Sequence, residues 1–265
     1  MARLAYVLWL GGPPGSGKTT VALRLARRHG LRWYGADTRT WAHVDRGLAA
    51  GIDAAGLWHR LPPAERWDVA GDEELLARSF HRERGPMVVD DLRALPGPPL
   101  VIAEGSTLPA SEADPERALW LVPTRAFQDA RLRERGAPPP WARLSRLLRD
   151  EIEREACEHG VQLLVVDGSR SLDQTVAAAE ERFAPALEAG PFAESLAERR
   201  MLLRDANEAV AAQVRGYVER RWSDGDPDEW VRELLCECGD PSCGATLERP
   251  LRALAAGPVL APGHG

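Results

Sequence analysis

The sequence predicts an α/β fold: a parallel five-stranded sheet with helices on both faces, followed by a small helical, cysteine-rich C-terminal region. Three observations carry that expectation. Short apolar runs alternate with stretches of helical pattern, as crossover connections between parallel strands require. The runs are nearly continuous in hydrophobicity, as strands covered on both faces are. A glycine-rich turn holding the chain's single lysine joins the first run to the first helical stretch.

The first run, Leu4 to Leu10, has the length of a signal-peptide core. It passes straight into a glycine turn with no small-residue cleavage site, so it reads as a buried strand. The turn is Gly12-Pro13-Pro14-Gly15-Ser16-Gly17-Lys18-Thr19, a full G-x-x-x-x-G-K-[ST] match. Thr19, Thr20, Val21, Ala22, Leu23, Leu25 and Ala26 then read as a helix, with His29-Gly30 as its stop. Such glycines let backbone N–H groups converge on phosphate oxygens, and the helix N-terminus adds partial positive charge. Lys18 would bridge β- and γ-phosphates, and Thr19 would place a hydroxyl on Mg²⁺. Four more strands are expected at Leu31–Tyr34, Leu100–Ala103, Ala118–Val122 and Gln162–Val166. They are followed by Asp37, Glu104, Thr124 and Asp167, polar residues where ligands of a parallel sheet gather.

Composition excludes several classes. The 265 residues are 44% hydrophobic and 28% charged, which supports a soluble globular chain with a real core. Net charge is −6, so no basic footprint points to nucleic acid. No apolar run is long enough to span a membrane. Four cysteines, three of them between 236 and 243, make no disulfide framework in a chain this long and suit a reducing cytoplasm. With Lys18 already placed, no lysine remains for Schiff-base chemistry or for an Asn-Lys-x-Asp guanine reader. The VAIK and HRD elements of protein kinases are missing.

These residues together resemble the P-loop NTPases. Within them the plan is similar to small-molecule and nucleoside-monophosphate kinases, most of all the chloramphenicol phosphotransferase and gluconate kinase types, over roughly residues 3–188. The resemblance implies a P-loop kinase-like domain over 1–189 that uses ATP and Mg²⁺. It places Asp37 beside the acceptor hydroxyl as base or orienter, with a helix N-cap as its plainer role. Glu104 in VIAEG takes the position of a Walker B acid toward Mg²⁺. A lid over 125–150 would bring Arg131 and Arg135, which share a helix face, onto the phosphates. Arg143, Arg146 and Arg149 follow beyond the prolines. Gly168, in the turn after the fifth strand, would flank the adenine. The segment 38–95 would build the acceptor site. There Trp41, Trp58 and Trp67 read first as a helical core and second as a stacking surface. His43 reads as a surface histidine, and Asp90 and Asp91 as part of a helix under the site.

Gly190-Pro191 breaks the pattern and opens a C-terminal region over 190–265. Residues 192–222 read as one long polar helix with Leu196, Leu203, Val210 and Tyr217 at seven-residue steps. That seam would bury against the core or form a homodimer. Cys236, Cys238, Cys243 and His264 compose a donor set suited to a structural Zn²⁺. The region is similar to a CECG-type module of uncharacterised bacterial proteins that carries no known activity. Cys157 reads as a small buried residue. The expectation is an ATP- and Mg²⁺-dependent phosphotransferase acting on a hydroxyl of a small-molecule acceptor. The alternative is an ATP-binding switch or adaptor that uses the C-terminal region for partner or self-association.

Overall fold

The computed structural model describes residues 4–264. Five strands, β1 (Val7–Gly11), β2 (Arg32–Gly35), β3 (Val101–Gly105), β4 (Ala118–Pro123) and β5 (Gln162–Val166), form one all-parallel sheet in the order β2-β3-β1-β4-β5. Strands β1 to β4 alternate their side chains between two apolar cores, because successive residues of a strand point to opposite faces. One core joins Val7, Trp9, Val101, Ala103 and Trp120 to the helices α6 (His81–Ala94) and α8 (Pro139–Glu158). The other joins Leu8, Leu10, Ile102 and Leu121 to α1 (Lys18–His29) and α9 (Leu172–Ala189). β5 lies at the edge, half exposed.

Between β2 and β3 the chain builds a helical layer: a short turn (Ala36–Arg39), then α2 (Thr40–Ala49), α3 (Asp53–Arg60), α4 (Pro63–Arg66), α5 (Asp72–Arg78) and α6. Trp41, Val44, Ala54, Ala55, Phe80 and Met87 form its core. The guanidinium of Arg66 sits 4.1 Å over the Trp58 ring, with Trp41, Trp67 and Trp222 around it. Burial lowers its pKa to about 10, and it donates to the carbonyls of Trp58 and Leu61. The tryptophans are thus chiefly a core, as the sequence suggested. His43, expected at the surface, is fully buried, because its ring bridges Asp91 and Arg84 inside this layer.

After β4, α7 (Arg125–Glu134) is capped by Thr124, whose hydroxyl accepts from the N–H of Phe127. α8 follows and continues past residue 150 into the core, with Leu144, Leu148 and Ile152 buried, so the expected lid shares a helix with the scaffold. Cys157 is exposed; its neighbour Ala156 takes the inward position on α8.

The C-terminal helix α10 runs from Leu196 to Val218, shorter than 192–222, and opens with a capping box of Ser195 and Glu198. Its buried stripe is Leu202, Leu203, Ala206, Asn207, Ala211 and Val214, steps of three and four rather than seven, while Leu196 is 51% exposed. A straight helix has 3.6 residues per turn, so a strict seven-residue seam drifts off one face. The helix packs within the chain against β2, the 36–39 turn and α2, and against a hairpin of β6 (Val231–Leu235) and β7 (Thr246–Pro250). The short α11 (Ala253–Ala256) closes the chain's last core. Asn207 pins this hairpin: it accepts from the Leu235 N–H at 2.8 Å and donates to the Leu235 carbonyl and Glu237. No described helix is long and apolar enough to cross a membrane.

Asn207 is 1% exposed, so Asn207→Ala leaves buried partners unsatisfied. The substitution is expected to cost about 2–3 kcal/mol in urea unfolding; a loss below about 0.5 kcal/mol would show that water replaces it freely.

Candidate functional site

The strand order reverses at β1: the chain leaves it toward β2 and β3, then crosses to β4 on its other side. A crevice opens at such a switch point, at the carboxyl ends of the strands. The loop of residues 12–17 fills it. Gly12, Gly15 and Gly17 all have positive φ (142°, 85° and 86°), and a Cβ on Gly12 would meet the Leu121 carbonyl oxygen at 2.3 Å. Only glycine makes this turn without strain. Gln128 on α7, fully buried, holds the loop from behind by donating to the carbonyls of Pro14 (2.9 Å) and Ser145 (3.1 Å). Gly17 is the N-cap of α1, so free helix N–H groups face the crevice. The Ser16 hydroxyl is buried in the loop without a protein partner.

Lys18 is buried at 6% exposure, and Thr19 donates from its hydroxyl to Glu104 Oε2 at 3.0 Å. Glu104, next to last in β3, lies beside β1 and is 2% exposed. Burial raises its pKa to about 7; the Asp37 charge adds to the rise, while Lys18 and the Thr19 hydroxyl oppose it. A hydroxyl and a carboxylate at this distance, with a lysine beside them, are oxygen donors of the kind Mg²⁺ takes.

A cavity of about 590 Å³ opens on Lys18 and Thr19, with Glu104 behind Thr19. Its lining includes Pro14, Gly15, Lys18 and Thr19 from the glycine turn and α1, Asp37 and Arg84, and Arg135 to Pro138 at the α7–α8 turn. Asp37 caps no helix and lines the cavity, its carboxylate 4.0 Å from Arg84 Nη1. Arg84 is anchored in turn: it donates to the Ala36 carbonyl and, at 3.2 Å, to His43 Nδ1. His43 Nε2 lies 2.9 Å from Asp91, which also accepts from Tyr34 and Arg46. Burial lowers the His43 pKa despite Asp91, so the ring is neutral, accepting at Nδ1 and donating at Nε2. Burial works against an ionised Asp91, but His43, Tyr34 and Arg46 together hold it below the ordinary carboxyl range. Burial and then Arg84 push the pKa of His81, a further wall residue, down to about 4.

Other expected residues lie elsewhere. Arg131 pairs with Glu134 at 2.7 Å and does not line the cavity. Arg143, Arg146 and Arg149 are held by Asp72, Asp129 and Glu153. Thr20 is exposed one position beyond Thr19. Gly168 sits outside the cavity in a turn with φ 89°, packed on Phe127. Asp90 is an exposed partner of Arg46. The C-terminal helix supplies what sequence reasoning missed: Gln213 and Tyr217 of α10 complete the wall beside Trp41 and Trp58.

On the far side of α1, Cys236, Cys238, Cys243 and His264 come together, with their donor atoms within 4.8 Å of one another. They form a candidate metal-binding group. His264 Nδ1 lies 3.5 Å from Cys236 Sγ and 3.6 Å from Cys243 Sγ. All four cysteines are reduced. Burial disfavours the Cys238 thiolate, but the Asp240 N–H, His264 and the neighbouring thiols bring its pKa down to about 6.

In comparisons with known proteins, no family model and no curated protein matches the chain.

The raised Glu104 pKa has a defined sign. The folded chain keeps this proton at pH values where the unfolded chain has lost it, so the stability it confers falls as pH rises from about 4.5 through about 7. Without Mg²⁺ or nucleotide, Glu104→Gln should exceed the wild type in stability by up to about 3 kcal/mol at pH 8, converging with it below about pH 5. Parallel urea curves at all pH values would contradict the shift.

Proposed function

We propose that the protein is an ATP- and Mg²⁺-dependent phosphotransferase of the P-loop kinase-like kind that acts on a hydroxyl of a small-molecule acceptor. One observation carries this reading. The glycine turn, Lys18, Thr19, Asp37 and Arg135, distant in sequence, border a single cavity large enough for a small acceptor beside a terminal phosphate. The loop fits phosphate: its turn is made by glycines with positive φ, it ends in a helix N-terminus, and it keeps an unpartnered Ser16 hydroxyl. Thr19 and Glu104 would hold Mg²⁺, which when bound neutralises charge on the phosphate oxygens.

In this reading the loop N–H groups and Lys18 bind and orient the triphosphate. Asp37 accepts the proton of the acceptor hydroxyl as its oxygen forms the new bond to the γ-phosphorus. The bond from that phosphorus to the bridging oxygen breaks, and ADP leaves with the electron pair. Arg84 holds Asp37 in place, and Arg135 meets charge on the transferring group. The α7–α8 turn, with Gly136, lines the same cavity, and its closure over bound nucleotide would exclude water. The cysteine group holds a structural Zn²⁺ that stabilises the C-terminal hairpin.

Lys18→Ala is expected to lower turnover of labelled ATP by about 10²–10³-fold, with an unchanged circular-dichroism melt because the loop is held by Gln128 and backbone bonds. Asp37→Asn should keep binding of a non-hydrolysable ATP analogue while losing phosphate transfer to a metabolite fraction. Full turnover in Lys18→Ala would refute the assignment.

A further inference from the structure

The cysteine cluster and the helix that follows the glycine loop meet at Arg27. This residue lies in the last turn of α1 and is only 8% exposed. It donates to the Cys236 carbonyl, and its Nη1 lies 3.8 Å from Cys238 Sγ. Among the described residues no carboxylate forms an ion pair with it; Asp240 feels its charge but is bound to Ser242. A cation this buried needs a compensating charge, and the sulfur of Cys238 is the group beside it that can carry one.

A bound zinc ion would keep that sulfur a thiolate. Three thiolates and a neutral imidazole around Zn²⁺ leave a net charge of −1, the complement of one guanidinium. The geometry suits that ion. Zn–S and Zn–N bonds of about 2.3 and 2.0–2.1 Å in a tetrahedron put S and N about 3.5 Å apart, and the two S···N distances are 3.5 and 3.6 Å. Backbone N–H groups of Ala261 and Ala245 already point at Cys236 and Cys243 Sγ (3.3 and 3.4 Å), the outer hydrogen bonds that thiolate ligands take. With four protein ligands the site is closed, hence structural rather than catalytic.

We propose that zinc bound by Cys236, Cys238, Cys243 and His264 is the counter-ion of Arg27, and that it thereby locks α1 so that metal loading governs nucleotide affinity. Arg27 and Lys18 belong to one rigid 12-residue helix. The same end of α1 is clamped by Arg199, which donates to the Arg27 carbonyl at 3.1 Å, and by the Ala193 N–H on the Gly30 carbonyl. Without the ion, the sulfurs and the Cys236 carbonyl that hold Arg27 are no longer fixed to one another, and the helix carrying the loop loosens with them. The nucleotide half of this inference rests on the proposed function; the zinc half does not.

The test uses the full chain. Metal analysis should find one zinc per chain. Calorimetric titration with a non-hydrolysable ATP analogue and Mg²⁺ should show its Kd weakened about tenfold after zinc removal and restored by added Zn²⁺. Arg27→Met should still take up one zinc but hold it about 10- to 100-fold more weakly against a chromophoric chelator. Its zinc-loaded form should bind the analogue like the zinc-free wild type. Should zinc removal unfold the chain, the zinc-loaded Arg27→Met titration decides; should that variant not fold, the wild-type zinc titration decides. No bound zinc, or an analogue Kd indifferent to both zinc and Arg27, overturns the proposal. A zinc-loaded wild type that binds no analogue at all overturns the nucleotide reading and the coupling together, and leaves the metal centre standing.

Discussion

A parallel sheet covered on both faces leaves its chemistry only one place to go. Helices α1 and α9 close one face and α6 and α8 the other, so the strand ends are the only edge that loops can shape into a site. The reversal at β1 puts the glycine turn in the middle of that edge. Several buried polar groups are arranged around it. Glu104 arrives on β3, Asp37 just after β2, and Gln128 on the helix after β4.

Low polarity at that edge sets the behaviour of its charges. Glu104, Lys18 and Thr19 are packed so closely that burial, not the neighbouring lysine, dominates the carboxyl's proton affinity. Arg84 is handled differently. It is fixed by a neutral His43 and a backbone carbonyl, leaving one guanidinium nitrogen toward Asp37. Such a chain of hydrogen bonds gives a carboxylate a fixed direction while keeping its cavity face open.

The helical layer and the C-terminal helix share an aromatic seam that supports the cavity. Arg66 sits among Trp41, Trp58, Trp67 and Trp222, and Arg220, itself paired with Asp45, lies 5.0 Å over Trp41. Tyr217 packs edge-on to Trp41 and Trp222. Through this seam α10 contributes Gln213 and Tyr217 to the cavity, while its Asn207, Ala211 and Val214 pack on the cysteine hairpin. One helix therefore touches both the candidate active site and the candidate metal group.

What could be read from the sequence was local. The glycine turn, its strand and its helix are set by residues adjacent in the chain, and apolar runs announced the five strands of the sheet, most plainly β1, β3 and β4, where burial on both faces leaves no polar alternation. The clustering of three cysteines was equally plain. Strand order, and so the neighbours of β1, was beyond it, because apolar runs of similar composition do not say which pairs with which. The surroundings of His43, the diversion of Arg131 to Glu134 and the outward turn of Cys157 are contacts between elements far apart in sequence or one helical step from the expected face. Tertiary packing alone decided them: a side chain's partner, burial and charge are properties of what folds against it.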